Sequence, residues 1–294
     1  NISMNPDKQV AVLLSDEDSI FSDYLYFYFR IYKKNLIKKL FSKALDRILE
    51  QEIEEISVAE IGSGNGYDAL NIMNILVQHS KTKNKKIKLT LAEGLKSSIE
   101  KSKDLLEEFN HFEIEYLQMD FNQSLPMKSG IFDIVICTEV IEHIKNPNNF
   151  LKEIFRTQKN DSYFILTTDN SPNLLQKIKR FPLLLSGRYN RKYKKVDPDL
   201  DPDTFYTEMN NDQIPIYGHI NLKTCTQWEK IFKSVGYTIS SLGTYESVRR
   251  GGGNQSPPVL FFYFFWSTIS SLLPSFLSKH IGDTTAFIAS KRHH

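Results

Sequence analysis

The nine-residue stretch VAEIGSGNG, from Val58 to Gly66, ends an apolar run and leads into a segment with helical periodicity. Its three glycines let the backbone turn sharply and approach a ligand without Cβ clashes, and the helix that follows offers free N–H groups. The spacing Gly-x-Gly-x-Gly differs from that of dinucleotide folds and of phosphate-binding loops. Glu60, two residues before the first glycine, indicates a cationic ligand without phosphate groups.

Strand-like and helix-like segments alternate along the rest of the chain. Apolar or alternating runs predict strands, and amphipathic stretches predict helices. This alternation predicts an α/β fold with a doubly wound, mainly parallel sheet of seven strands and helices on both faces. The predicted strands are 56–61, 87–92, 112–117, 131–137, 163–168, 237–242 and 285–289, and the predicted helices are 67–78, 95–109, 149–156 and 226–235.

Acidic residues follow the predicted strands. Glu93 comes directly after the second strand, a position that reaches ribose hydroxyls in doubly wound folds. Asp120 and Phe121 follow the third strand, and the stretch FDIVICTEVIEHI runs from Phe132 to Ile144 through the end of the fourth strand. These groups are expected at one edge of the sheet, because the carboxyl ends of parallel strands lie together.

Taken together, residues 56–168 resemble the class I S-adenosylmethionine-dependent methyltransferases. The pattern is most similar to the subgroup with Phe-Asp-x-Val and Glu-Val-x-Glu-His signatures, present here at 132–135 and 139–143. That subgroup includes ubiquinone-biosynthesis O-methyltransferases and enzymes that modify sugars and lipids. The resemblance extends over 218–237, which contains a histidine, a predicted helix and a glycine followed by an aromatic residue where the chain returns to the sheet. It implies the Rossmann-like methyltransferase fold and S-adenosyl-L-methionine as the cofactor.

The resemblance also implies roles for individual residues. The glycine-rich turn would line the methionine end and the ribose of the cofactor, and Glu60 would help to hold its amino group. Glu93 would accept hydrogen bonds from the ribose, and Asp120 would bind the adenine amine. The two residues that end the fourth strand would lie near the methyl donor. The implied cofactor-binding set is Glu60, Gly62, Ser63, Gly64, Gly66, Glu93, Asp120, Phe121, Thr138 and Glu139.

A second set of residues combines carboxylates with imidazoles. Glu139, Glu142 and His143 have spacings that bring side chains to a common face on one helical turn, and His219 joins them from a later segment. These four residues are candidate ligands for a divalent metal such as Mg²⁺. Small-RNA 2′-O-methyltransferases and some ubiquinone O-methyltransferases have a similar set, where a metal would orient a diol and lower the pKa of a hydroxyl.

The alternative is that no metal binds. Glu142 then forms local hydrogen bonds, His143 packs at a helix end, and His219 acts as the general base, because an ordinary imidazole titrates near operating pH. With or without a metal, the candidate catalytic residues are His219, Glu142 and His143.

One position departs from the family pattern. After the fifth strand the family commonly has Thr-Pro-Asn, whereas this chain has Thr168, Asp169 and Asn170. A carboxylate therefore stands where a proline would stiffen the turn near the mouth of the expected active site. The resemblance therefore specifies the cofactor side more closely than the substrate side.

Two segments outside the predicted core are unusual. The aromatic-rich N-terminal helix is expected to pack on the domain, the alternative being an amphipathic cover over a pocket or a membrane surface. The uncharged segment 251–278 is expected to form a helical hairpin that is buried or dips into an interface, since serine, threonine and proline interrupt it. The expected regions are an N-terminal helical cover (1–50), a cofactor-binding core (51–169), a substrate-side insertion (170–218) and a C-terminal part of the core sheet (219–294) with an apolar helical insertion at 246–283.

The composition excludes several classes of protein. Of 294 residues, 40% are hydrophobic and 24% are charged, which excludes a disordered or collagen-like chain. The net charge of +2 provides no global basic field for nucleic acid. Two cysteines, Cys137 and Cys225, and no signal-peptide pattern at the start of the sequence predict a cytoplasmic protein, with peripheral contact at the inner membrane face.

These observations lead to one main functional hypothesis and two alternatives. The main hypothesis is an S-adenosylmethionine-dependent O-methyltransferase whose acceptor is a hydroxyl of a sugar, a lipid-linked glycan or a quinone-like lipid. The expected partners are this small-molecule or lipid-linked acceptor and a membrane surface, without nucleic acid and with no oligomeric state indicated. RNA 2′-O-methylation is the first alternative. The sequence contains no recognisable RNA-binding module, which argues against it. A non-catalytic cofactor-binding protein is the second, and the intact glycine-rich turn argues against it.

Overall fold

The computed structural model describes residues 36–170, 205–209, 212–216, 219–245 and 284–292. The predictions for 1–35, for most of the insertion at 170–218 and for the apolar segment 246–283 lie outside these residues. The described part begins with a helix, α1, over 36–48.

Nine strands are present in the described part of the chain. Seven form one sheet and two form a separate hairpin. Their bounds are β1 Glu55–Ile61, β2 Lys86–Glu93, β3 Glu113–Gln118, β4 Phe132–Thr138, β5 Gln158–Asp169, β6 Phe205–Met209, β7 Asp212–Ile216, β8 Thr238–Tyr245 and β9 Thr284–Lys291.

The seven-stranded sheet has the order β3-β2-β1-β4-β5-β9-β8. The first five strands pair in parallel, whereas β9 runs antiparallel to both β5 and β8. The strand order therefore reverses between β1 and β4, and ligands of open α/β sheets bind at the carboxyl ends of strands where such a reversal occurs. The predicted fold class, a mainly parallel doubly wound sheet, is confirmed.

Four further helices of the described residues pack on the sheet. Local sequence defines their ends. Pro147 occupies the first turn of α4 (Pro147–Thr157) after the Asn146 cap. Thr224 forms a capping box with Gln227 at the start of α5 (Cys225–Val235). Gly236 ends α5 with a φ of 111°, the left-handed conformation that is common for a glycine after the last helical residue. The helices are α2 Tyr67–Gln78, α3 Lys96–Leu105, α4 Pro147–Thr157 and α5 Cys225–Val235.

The sheet is buried on both faces. Alternate side chains of β4 enter different apolar clusters, with Ile134 and Ile136 on one side and Val135 and Cys137 on the other. Helices α1 and α2 cover the first face, and α4 and α5 cover the second. The continuous apolar run of β4 therefore correctly predicts a strand that is buried on both faces.

Two parts of the sequence-based prediction need correction. The sequence predicts no strand within the insertion at 170–218, but β6 and β7 pair there as an antiparallel hairpin. Strand β5 begins at Gln158, five residues before the predicted start. The prediction missed these residues because they are polar and resemble a loop. No helix in the described ranges is long and apolar enough to cross a membrane.

Asp133 joins β1 to β4 at the end of the sheet opposite the predicted site. Its buried carboxylate accepts hydrogen bonds from the Ser57 backbone N–H and from Lys159 Nζ, each at 2.8 Å. Removal of this acceptor leaves a buried N–H without its partner, and such a loss costs more than the loss of an exposed ion pair.

We predict that Asp133→Ala lowers the free energy of unfolding by about 2 kcal/mol with an unchanged urea m-value. Glu100→Ala, which removes the exposed pair with Lys103, is the control and changes stability by less than about 0.5 kcal/mol. Equal stability of the two variants in urea denaturation contradicts the assignment.

Candidate active site

The glycine-rich turn between β1 and α2 has the backbone conformation that its sequence predicts. Gly62, Gly64 and Gly66 have φ values of 74°, 52° and 83°. A Cβ at Gly62 would lie 2.2 Å from the Val140 side chain, so this position requires glycine. The same contact places the residues that follow β4 directly against the turn.

Gly64 marks the open side of the turn. A Cβ there would meet no atom within 4 Å. The backbone is held from below, because the N–H groups of Gly62 and Ser63 donate to the Ala92 carbonyl at 2.8 and 3.1 Å. The turn is thus fixed to β2 and leaves space above Gly64 for a ligand.

Glu93, at the end of β2, is oriented toward this space. Its carboxylate accepts hydrogen bonds from the N–H of Gly64 at 2.8 Å and from the N–H groups of Gly94 and Leu95 at 2.8 and 3.0 Å. An ionised carboxylate has about four acceptor sites. It therefore retains capacity for a hydroxyl donor, as the predicted contact with a ribose requires.

Asp120 and Phe121 lie after β3, where the sequence predicts adenine recognition. Asp120 Oδ1 accepts from the Asn122 N–H at 2.8 Å, which shapes the loop, and the Phe121 ring contacts Phe150 edge-on. Both residues line a surface groove of about 510 Å³ between this loop and the start of α4. A planar ring therefore has space beside Asp120.

Buried carboxylates surround the ends of β1 and β4. Glu60 is buried within β1, and Cys137 lies on β4 one residue further along the register. Burial raises the pKa of the Cys137 thiol well above its usual value, and the negative charges of Glu142, Glu139 and Glu60 raise it further. The same concentration of negative charge favours a cationic ligand.

Thr138 and Glu139 end β4 in different ways. Thr138 Oγ1 donates to Asp68 Oδ2 at 3.2 Å and so links the strand to α2. Glu139 has a φ of 56°, and its carboxylate accepts from Thr167 Oγ1 at 2.9 Å. A positive φ in a residue other than glycine is strained, and such strain is concentrated at functional sites.

The geometry expected for Glu139, Glu142 and His143 therefore needs correction. These residues do not share one helical turn, because Glu139 is left-handed and only a short 3₁₀ turn, Ile141–His143, follows. One potential ligand atom from each of Glu142, His143 and His219 lies within 4.8 Å of the other two. Glu139 is not part of this group of three.

Glu142 is fully buried within the group. Its Oε2 accepts from Thr168 Oγ1 at 2.8 Å, whereas its Oε1 is buried without a hydrogen-bond partner in the described part of the chain. Burial raises the pKa of Glu142 well above its usual value, and the charges of Glu139 and Asp169 add to the effect. Both effects favour the protonated carboxyl over the carboxylate, and a cation beside the group would favour the carboxylate.

His219 reaches the group from the start of the described segment 219–245. Its ring contacts His143 edge-on with centroids 4.7 Å apart, and its Nδ1 lies 2.5 Å from Asp169 Oδ2. The segment is anchored by Asn221, which donates its backbone N–H to the Glu142 carbonyl at 2.9 Å and its side-chain amide to the Ile144 carbonyl. The sequence indicated His219 but not the Asn221 anchor, for which it contains no local signal.

Comparisons with known proteins place this site in a family context. A model of the methyltransferase domain family matches residues 32–242, well over half of the chain. The ubiquinone biosynthesis O-methyltransferase of Rickettsia typhi is 27% identical over 119 residues, which cover 40% of this chain and 43% of that protein. The protein of the same name from Rickettsia canadensis is 28% identical over 120 residues, which cover 40% and 45%. The chain thus matches less than half the length of these relatives.

A solved structure supports the same fold. A protein assigned as a methyltransferase from Bacillus halodurans C-125 superposes with a TM-score of 0.52 at 16% identity, covering 87% of this chain and 99% of that one. At this identity the similarity shows the fold alone. The family match confirms the predicted family and enzyme class: the chain belongs to the class I S-adenosylmethionine-dependent methyltransferases.

Proposed function

We propose that this protein transfers a methyl group from S-adenosylmethionine to a hydroxyl of a sugar, a lipid-linked glycan or a quinone-like lipid. The observation that carries the proposal is the convergence of Glu142, His143 and His219 beside the glycine-rich turn. An imidazole at this place supplies the base that an oxygen acceptor requires. The Rickettsia relatives, named as ubiquinone biosynthesis O-methyltransferases, support an oxygen acceptor.

Several features of the described residues support the proposed placement of the cofactor. The space above Gly64 would receive its methionine and ribose part, and Glu93 would accept from the ribose hydroxyls. Glu60 and the other buried carboxylates would hold the amino group and balance the positive charge on sulfur. Asp120 and Phe121 would lie at the adenine.

The chemistry of the transfer divides between cofactor and protein. When bound, S-adenosylmethionine supplies a methyl group on a positively charged sulfur, so that the acceptor oxygen forms a C–O bond while the C–S bond breaks and sulfur keeps the electron pair. The protein aligns the acceptor and removes its hydroxyl proton. His219, half-exposed at the edge of the site, receives this proton, and the buried Glu142 and the partly buried His143 lie beside it.

The second candidate for activation of the acceptor hydroxyl is a divalent metal bound by Glu142, His143 and His219. Glu142 Oε1 is a buried oxygen without a hydrogen-bond partner among the described residues, and a cation there would balance its charge. One carboxylate and two imidazoles fit Mn²⁺ or another transition metal better than Mg²⁺, which prefers oxygen ligands. Such an ion would bind the acceptor oxygen and lower the pKa of its hydroxyl.

The acceptor is proposed to be amphiphilic, with a peripheral location at the inner membrane face. The support lies in the sequence, where a basic run at 188–195 and the uncharged segment 251–278 flank the core. Basic side chains bind an anionic head group, and an apolar hairpin suits a lipid tail or an interface. The net charge of +2 argues against RNA as the acceptor.

The placement of the cofactor is tested by Gly64→Arg. The long side chain fills the space above the turn, so we predict at least about a tenfold loss of affinity for S-adenosylhomocysteine in calorimetry. For S-adenosylmethionine the positive charge of the arginine opposes the sulfonium in addition. Gly130→Arg is a matched control, because Gly130 has a φ of 65° and similarly open surroundings on another loop. Wild-type affinity in Gly64→Arg contradicts the placement.

The role of His219 is tested by turnover on a panel of acceptors that contains hydroxylated quinone, glycolipid and RNA. We predict that His219→Ala lowers kcat on the order of a hundredfold or more, with unchanged binding of S-adenosylhomocysteine, because only the proton acceptor is lost. His111→Ala, at a remote loop, is the control. EDTA inhibition that Mn²⁺ or Mg²⁺ reverses assigns a metal to the site. Full activity of His219→Ala, or methylation of RNA alone, contradicts the proposal.

A further inference from the structure

The contact between Asp169 and His219 is a feature that the proposed function does not by itself require. Asp169 Oδ2 lies 2.5 Å from His219 Nδ1, and the two residues are 50 positions apart in the chain. The Asp169 side chain is 3% exposed and that of His219 is 43% exposed. A nearly inaccessible carboxylate therefore holds one nitrogen of a ring that is itself partly exposed to solvent.

We propose that Asp169 is a positioning residue for His219: its carboxylate holds the proton of the neutral ring on Nδ1 and presents the lone pair of Nε2 to the acceptor hydroxyl. The role of this lone pair in catalysis rests on the proposed function, whereas the position of the proton on the His219 ring does not. Carboxylate–histidine pairs control the protonated nitrogen in this way both in hydrolytic triads and behind metal-bound imidazoles.

Asp169 is itself held rigidly at the end of β5. Its backbone pairs with Thr284 of β9, and its carbonyl accepts from Trp228 Nε1 at 3.2 Å. The next residue, Asn170, accepts from the Cys225 N–H at 2.6 Å through its side chain. Because β9 and α5 both bind this strand end, the position of the carboxylate does not depend on the histidine.

His219 is constrained from three directions. Asp169 binds Nδ1, the His143 ring packs edge-on, and the Asn221 hydrogen bonds fix the backbone two residues later. An ionised carboxylate only accepts hydrogen bonds. A neutral imidazole opposite it therefore carries its single N–H on Nδ1, and the lone pair is left on Nε2.

This arrangement also accounts for the charge that develops during transfer. When the acceptor hydroxyl gives its proton to Nε2, the electron pair of the O–H bond stays on oxygen and the ring becomes an imidazolium. The Asp169 carboxylate stabilises that positive charge at hydrogen-bond distance. A proline at this position, as the resemblance would predict, has no group for either task.

The direct test is the position of the ring proton in the full chain. Long-range ¹H–¹⁵N NMR spectra distinguish a protonated from an unprotonated ring nitrogen, and the His219 signals are identified as those missing in His219→Ala. We expect the Nδ1–H form of the neutral ring in the wild type. An Nε2–H ring in the wild-type protein overturns the proposal, whether or not any acceptor is turned over.

The second test uses Asp169→Asn, which keeps the shape but removes the charge and adds an N–H donor. We expect an increased Nε2–H population and a kcat lower on the order of a hundredfold, with unchanged affinity for S-adenosylhomocysteine. Asp46→Asn, at the exposed Asp46–His79 pair, is the matched control and leaves both readouts unchanged. In a His219→Ala background, Asp169→Asn is expected to have no further effect on kcat.

The outcomes distinguish failure of the positioning role of Asp169 from failure of the proposed methyltransferase function. An unchanged ring and unchanged kcat in Asp169→Asn overturn the positioning role, and so do additive losses in the double variant. Absence of turnover by the wild type on every acceptor counts against the proposed function alone, because the NMR measurement needs no activity.

Discussion

The register of β4 between β1 and β5 is the constraint on which the candidate site depends. Ile61 pairs with Cys137, and Thr138 pairs with Thr167, so the three strands end at nearly the same level. The glycine-rich turn, the residues 139–143 and the end of β5 consequently meet at one edge of the sheet. A shift of one residue would turn Glu139 away from Thr167 and exchange the faces of every β4 side chain.

The electrostatics of this edge follow from burial. Glu60, Glu142 and Asp169 are all nearly inaccessible to solvent, and buried carboxylates are stable only when they are hydrogen-bonded, protonated or paired with a cation. Thr168 and His219 satisfy part of this requirement. At the proposed site, a positively charged cofactor would satisfy more of it, and the binding of a sulfonium would then depend on the same interactions as the stability of the acids.

Most of the fold was predictable because its signals are local. The apolar run of β4, the three glycines of the turn and Gly236 at the end of α5 each indicate their structure within a few residues. The positive φ of Glu139 and the β6–β7 hairpin have no such pattern. The Asp169–His219 pair was not predictable either, since the two residues meet only when β5, β9 and α5 have assembled. The sequence showed an unusual carboxylate there, and the tertiary structure supplies its partner.

The central claim is that the cofactor cleft and the histidine that faces it form a single site. A crystal structure of the chain with S-adenosylhomocysteine tests this claim most directly. The account predicts ribose hydroxyls at hydrogen-bond distance from the Glu93 carboxylate, adenine beside Asp120, and the sulfur on the side of Glu139 and His219. A ligand bound elsewhere, or one with its sulfur directed away from His219, would contradict it.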